Sequence, residues 1–216
     1  MTAEKIVHVI DDDEALRDSL EFMLDAAGIA ARSWESAIPF LEALPGLAPG
    51  CIVTDVRMPD MTGLELVERL KTLGRTDPII VITGHADVPL AVEAMKAGVL
   101  DFIEKPFDNQ RLLAAVRMAL ARGSAEAAAP QDDEALREIT ERLDSLSGRE
   151  REVLDGLVAG HANKVIAYDL DISPRTVEVY RANVMTKMRA RSLSELIRLV
   201  IAAEPARGAV GRGSAP

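Results

Sequence analysis

The stretch Cys51-Ile52-Val53-Thr54-Asp55-Val56-Arg57-Met58-Pro59-Asp60 decides how the chain is read. An apolar run ends on a carboxylate and breaks into a turn at Pro59. Such a run, bounded by turn signals, is expected to be a buried strand. Ligands of open parallel sheets bind at the carboxyl ends of strands, so Asp55 stands where chemistry is usual. Alone, it is better explained as a polar residue capping the next loop. Its partners elsewhere in the chain change that.

Upstream, residues 6–10 form an apolar run followed by Asp11-Asp12-Asp13-Glu14. Asp13 suits the N-cap of a helix to residue 27, stopped by Gly28. Residues 29–34 read as a weaker strand and 36–44 as a short helix. Downstream, 63–73 is helical, 78–82 a strand, 88–97 a helix closed by Gly98, 100–103 a strand and 109–122 a helix. Five strands alternating with five helices predict an α/β fold: a flavodoxin-like, doubly wound, five-stranded parallel sheet in the order 2-1-3-4-5, with right-handed crossovers.

Four polar features fall just after strands: Asp11-Asp12, Asp55, Thr83 and Lys105-Pro106. In such a sheet all four converge on one edge. Clustered carboxylates repel one another unless a cation joins them, and oxygen-only ligands suit Mg²⁺. Lys105 adds a fixed positive charge and Thr83 a hydroxyl, which together would bind phosphoryl oxygens. An aspartate nucleophile with a metal and a cation is a workable phosphoryl acceptor. An acidic edge with an incidental lysine would not bring all four together.

These residues strongly resemble the receiver domain of two-component response regulators, over residues 6–122. The matching pieces are Asp11-Asp12, Asp55 with Met58-Pro59, Thr83-Gly84-His85 and Lys105-Pro106-Phe107. The resemblance implies that Asp55 is the phosphorylation site. It implies that Asp12, Asp55 and the backbone carbonyl of Arg57 bind Mg²⁺ directly, with Asp11 acting through water. Thr83 and Lys105 would contact the phosphoryl group, and Phe102 matches an aromatic switch position. It also implies a phosphorylated homodimer through helix 88–97, strand 100–103 and helix 109–122.

The second half differs in composition. Residues 1–122 hold 12 basic and 20 acidic side chains, whereas residues 173–198 hold 6 basic and 2 acidic ones. A net charge of −10 therefore hides a basic segment near the end, the asymmetry of a regulatory domain joined to a nucleic-acid reader. The boundaries follow: a receiver over 1–122, a partly helical linker over 123–145, a small all-α helix-turn-helix domain over 146–205, and a disordered tail over 206–216. In the linker, Leu136, Ile139, Leu143 and Leu146 share a helical stripe, which serves either pairing in a dimer or packing on the second domain. Ser147 and Glu150 form a capping-box pair, residues 163–170 read as one helix, and Ser173-Pro174 opens a basic helix to residue 190. Two helices joined by a short turn describe a helix-turn-helix as well as part of an ordinary four-helix bundle.

Resemblance again decides. Leu146-Ser147-x-Arg149-Glu150-x-Glu152-Val153-Leu154, Asn163-Lys164-x-Ile166-Ala167 and Ile172-Ser173-x-x-Thr176-Val177-Glu178 are similar to the LuxR-type DNA-binding domain, and the whole chain to the FixJ branch of regulators. That branch implies a FixL-like sensor histidine kinase, double-stranded promoter DNA and RNA polymerase as partners, and activation of nitrogen-fixation or microaerobic genes. Helix 174–190 would enter the major groove. Glu178 could accept from a cytosine amino group, and Val179 or Ala182 could touch a thymine methyl. Lys164, Arg175, Thr176, Arg181 and Lys187 are candidates for phosphate contacts.

Two other classes fit the sequence less well. An aspartate phosphatase of the haloacid-dehalogenase type would carry Asp-x-Asp after its first strand, but Asp11 and Asp12 are adjacent and no cap domain is visible. A constitutive DNA-binding protein would not need the complete acidic site. The reading is a regulator rather than an enzyme. The absence of a long apolar stretch, with a start that leads directly into a strand, gives the expectation of a cytoplasmic protein without membrane contact.

Overall fold

Five parallel strands, β1 (Val7–Ile10), β2 (Ala31–Trp34), β3 (Cys51–Asp55), β4 (Ile79–Thr83) and β5 (Asp101–Glu104), form one sheet in the order β2-β1-β3-β4-β5. The computed structural model describes residues 6–84, 88–122 and 133–210, which fall into two compact units. Along the chain the helices α1 (Glu14–Ala26), α2 (Ala37–Ala43), α3 (Gly63–Thr72), α4 (Val88–Lys96) and α5 (Asn109–Arg122) follow the strands in turn. A short 3₁₀ turn at Leu44–Gly46, not foreseen from sequence, extends α2.

Register explains the shape. Side chains alternate across a strand, so Val7, Val9, Cys51, Val53, Ile80 and Ile82 share one core. There they meet Leu20 and Leu24 of α1 and Leu112, Val116 and Ala119 of α5. The register sets Asp55 opposite Ile82 and Thr83 opposite Glu104, which aligns the strand ends. Local signals fix the helix starts. Asp13 accepts from the Leu16 amide at 3.2 Å. Thr62 and Glu65 close a reciprocal capping box, which starts α3 directly after the Asp55 loop.

His8 has the opposite parity on β1 and is buried against Trp34 and Phe40. The Trp34 indole donates to its Nδ1 at 3.4 Å, so the neutral ring carries its proton on Nε2. Burial pushes its pKa down; Asp77 opposes this, and Arg32 adds to it. An unfolded His8 takes up a proton near its ordinary value of 6.5, whereas the folded one resists. The unfolded chain then binds more protons, so stability is complete above that value and is lost as pH falls toward the folded one. His8→Gln is expected to lose less stability than the parent between about pH 7 and pH 5, measured by urea unfolding at both. An equal loss would show that His8 does not contribute.

The second unit is helical: α6 (Asp133–Asp144), α7 (Gly148–Val158), α8 (Asn163–Asp169), α9 (Pro174–Met188) and α10 (Leu193–Val210). Val153, Leu154 and Leu157 of α7, Ile166 of α8, Val177, Val184 and Met188 of α9, and Leu196 and Ile197 of α10 are buried. Ser173 accepts from the Thr176 amide at 3.1 Å and Pro174 takes the first helical position, so α9 starts where the sequence places it. Of the two uses open to the linker stripe, the structure shows packing: α6 lies against α9 and α10 and buries Leu143.

One expectation is corrected. Helix α10 runs through residues 206–210, where an irregular tail was expected. Ala206 and Arg207 favour helix while Pro205 and Gly208 oppose it, so the extension reflects growth from an existing helix, which needs no new nucleus, rather than local preference. The rest of that tail, the linker over 123–132 and His85 lie outside the described residues. Among the described residues no helix is long and apolar enough to cross a membrane.

Candidate functional site

The carboxyl edge of the sheet gathers what the sequence scattered. Asp11 ends the β1 run, Asp55 closes β3, Thr83 closes β4 and Lys105 follows β5. The Lys105 ammonium sits between two carboxylates, 2.8 Å from Asp11 Oδ2 and 2.9 Å from Asp55 Oδ2. The Lys105 amide donates to the Thr83 carbonyl at 2.7 Å, which ties the turn to β4, and the Lys105–Pro106 peptide is cis. On its other oxygen, Asp55 accepts from the Val56 amide at 2.6 Å and the Arg57 amide at 3.4 Å. Asp55 is thereby held in one orientation by groups on both sides.

Asp11, Asp12 and Asp55 can each present a ligand atom such that all lie within 4.8 Å of one another. Asp11 and Asp55 are buried and Asp12 is exposed. Burial pushes the Asp11 carboxyl up, and the Lys105 hydrogen bond opposes it. Burial would lower the Lys105 ammonium, but its bonds to Asp11 and then Asp55 outweigh that and raise it. A buried acidic set with one internal cation is short of positive charge, and its donors are all oxygen. This fits a small hard divalent ion.

The helical unit carries the other candidate surface. Helices α8 and α9 meet through a turn in which Asp171 takes a left-handed φ of 54°. Arg175, Glu178, Val179 and Ala182 are exposed along the first two turns of α9. Val179 is 56% exposed, so an apolar tip lies on the same surface as Arg175 and Glu178.

Comparison with known proteins finds two family matches along the chain. Residues 7–117 match the response regulator receiver domain, and residues 144–200 match the bacterial regulatory proteins of the luxR family. The chain is 55% identical over 203 residues to the transcriptional regulatory protein FixJ of Bradyrhizobium diazoefficiens, covering 94% of this chain and 98% of that one. It is 58% identical over 197 residues to FixJ of Azorhizobium caulinodans, covering 91% and 92%. Full-length FixJ from B. japonicum superposes with a TM-score of 0.55 at 52% identity, covering 94% and 99%. The chain belongs to the FixJ-type response regulators.

As a response regulator it is a DNA-binding, two-component transcription regulator, and its family is not one of enzymes. Its receiver unit brings Asp11, Asp12, Asp55 and Lys105 together. Thr83 is wholly buried at the same edge, and Phe102 is buried two register positions back, opposite Val81. In the reader unit, Lys164 is exposed at the start of α8, while Thr176 and Arg181 are half-buried. Thr176 spends its hydroxyl on Ser173 at 2.8 Å. Lys187, a candidate phosphate contact, holds its ammonium 2.6 Å from Glu150 Oε2 and 3.3 Å from the Ser145 carbonyl. Sequence reading singled out Glu150 only as a capping residue and did not pair it with a lysine 37 positions away.

Proposed function

We propose that this regulator accepts a phosphoryl group on Asp55 from a FixL-like sensor histidine kinase, then dimerises on promoter DNA and activates transcription. The observation that carries the reading is the Asp55 carboxylate fixed between Lys105 and the amides of Val56 and Arg57. In the transfer, an Asp55 oxygen attacks phosphorus, a P–O bond forms and the P–N bond to the kinase imidazole breaks, leaving a neutral imidazole once it is protonated. Asp11 and Asp12, with Asp55 and the Arg57 carbonyl, would hold Mg²⁺. When bound, that ion neutralises charge on the phosphoryl oxygens. Lys105 pairs with the new phosphoryl oxygens in place of the Asp55 carboxylate.

Phosphorylation adds about −1.5 to −2 charges and three strong acceptors at this edge. Thr83 turns toward them, and Phe102 fills the space it leaves. The face of 88–97, 100–103 and 109–122 then pairs with its copy. The working boundaries are a receiver over 1–122, a linker over 123–145 and a reader over 146–205. Glu178, Val179 and Ala182 meet base edges, and Lys164, Arg175, Thr176 and Arg181 meet phosphates. RNA polymerase is the downstream partner, the cytoplasm the compartment, and nitrogen-fixation or microaerobic genes the targets; the names of the FixJ relatives support the last.

Solution mass and DNA affinity, measured with and without acetyl phosphate and Mg²⁺ at fixed salt, test the reading. A dimer that binds at least tenfold tighter is expected. Phosphorylation that changes neither property would overturn the switch.

A further inference from the structure

The end of the reading helix, Lys187 and Met188 with the C-cap Arg189, is gripped by α6, the α6–α7 joint and the first turn of α7. Lys187 pairs with Glu150, which is 5% exposed, and donates to the Ser145 carbonyl. Arg142 of α6 donates to the Met188 carbonyl at 3.5 Å, one of the acceptors that the end of α9 leaves open. Arg189, in a left-handed conformation at φ 53°, reaches Glu138 of α6 at 3.2 Å, and Glu138 also accepts from Arg142. The Ser145 hydroxyl returns to the Arg142 carbonyl at 2.7 Å, so the α6–α7 joint is itself fixed. The last two residues of α9 and its C-cap, at the end remote from Arg175 and Glu178, are thus held by residues 138–150.

We infer that Glu138, Arg142 and Glu150, acting through Lys187 and Arg189, are positioning residues for DNA binding: α6 and the start of α7 form a clamp that sets the pose of α9. The inference rests on α9 being the reading helix. Two of the three Lys187 N–H donors are taken by Glu150, whose side chain is 6% exposed, and by the Ser145 carbonyl, so the lysine is fixed in place by the protein itself. Arg189 and Glu138 are more exposed, so that pair alone contributes little; its weight comes from the Arg142 it shares. The clamp lies where the linker enters the reader, so any displacement of α6 reaches α9 directly.

The test separates position from charge. Glu138→Gln removes a negative charge from a DNA-binding unit. If α6 is inert, affinity for promoter DNA stays level or rises. The clamp instead makes it fall, by roughly three- to tenfold, with the slope of log affinity against log salt unchanged. Lys187→Gln likewise lowers affinity with an unchanged slope; a slope reduced by about 0.9 marks a lost phosphate contact and overturns its positioning role. Arg175→Gln is the control for the underlying reading, because it removes about 0.9 from the slope if α9 lies in the groove. All variants are measured in the full chain after acetyl phosphate treatment. Glu138 is 54% exposed, so its variant folds even if Lys187→Gln does not. Level or increased affinity in Glu138→Gln sinks the clamp whether or not the Arg175 control succeeds.

Discussion

Asp55→Asn is expected to take phosphorylation from one group per chain to none. The asparagine keeps the size of the side chain but has no charged oxygen to attack phosphorus, and its amide cannot meet the Lys105 ammonium as the carboxylate does at 2.9 Å. Intact mass after acetyl phosphate and Mg²⁺ reads the result. The variant should also lose any tightening of DNA binding that phosphorylation brings to the parent. Asp11 and Asp12 are the neighbours that could substitute. Asp11 is wholly buried and already spends Oδ2 on Lys105 and Oδ1 on the Asp13 amide. Full phosphate incorporation in the variant would move the acceptor to one of them and refute the assignment.

Gly63→Ala is expected to cost about 3 kcal/mol of stability in the receiver unit, at the upper end for overpacking. A Cβ at Gly63 would stand 2.1 Å from the Asp55 carbonyl oxygen and 3.0 Å from its carbon. Those atoms are backbone and cannot swing aside. The Gly63 amide also donates to the Val56 carbonyl at 2.9 Å, so α3 is moored to the loop that leaves the acceptor. Relief must come from moving α3 or the end of β3, and either displaces Asp55. Phosphorylation by acetyl phosphate should therefore slow together with the loss of stability. Gly156 offers a contrast: the nearest atoms to its added Cβ, at 2.8 Å and beyond, belong to the Ile166 side chain and not to backbone. Its alanine variant should lose less, because a side chain can give by a few tenths of an ångström where a carbonyl cannot. Urea unfolding of both decides, and a loss below about 1 kcal/mol for Gly63→Ala would show that the joint is soft.

The strands and helix starts were legible because their causes are local. Runs such as 51–55 and 79–83 carry their own period, and Asp13, Ser147 and Ser173 carry their own caps. The acidic edge was legible for another reason: parallel topology sends every strand end to one side, so Asp11, Asp55 and Lys105 could be grouped without any contact being known. What stayed hidden were partnerships made across long sequence distances. Nothing near Lys187 announces Glu150, and a lysine on a basic helix reads as a phosphate ligand until its partner is seen. Nothing near His8 announces Trp34, because an alternating strand does not say which side chain of the next strand it will meet. The Thr62–Glu65 capping box is local and could have been found; the acidic site just before it drew the reading away.

The Trp34 indole and the buried imidazole it touches have an optical consequence. Trp34 is the sole tryptophan of the chain, and it sits on β2 of the sheet. The two tyrosines, Tyr168 and Tyr180, both belong to the helical unit, on α8 and α9. Indole emission therefore reports one unit and phenol absorbance the other, without a label. A single untagged sample shows whether the two melt as one cooperative transition or in sequence, and whether a phosphoryl group on the first is felt by the second.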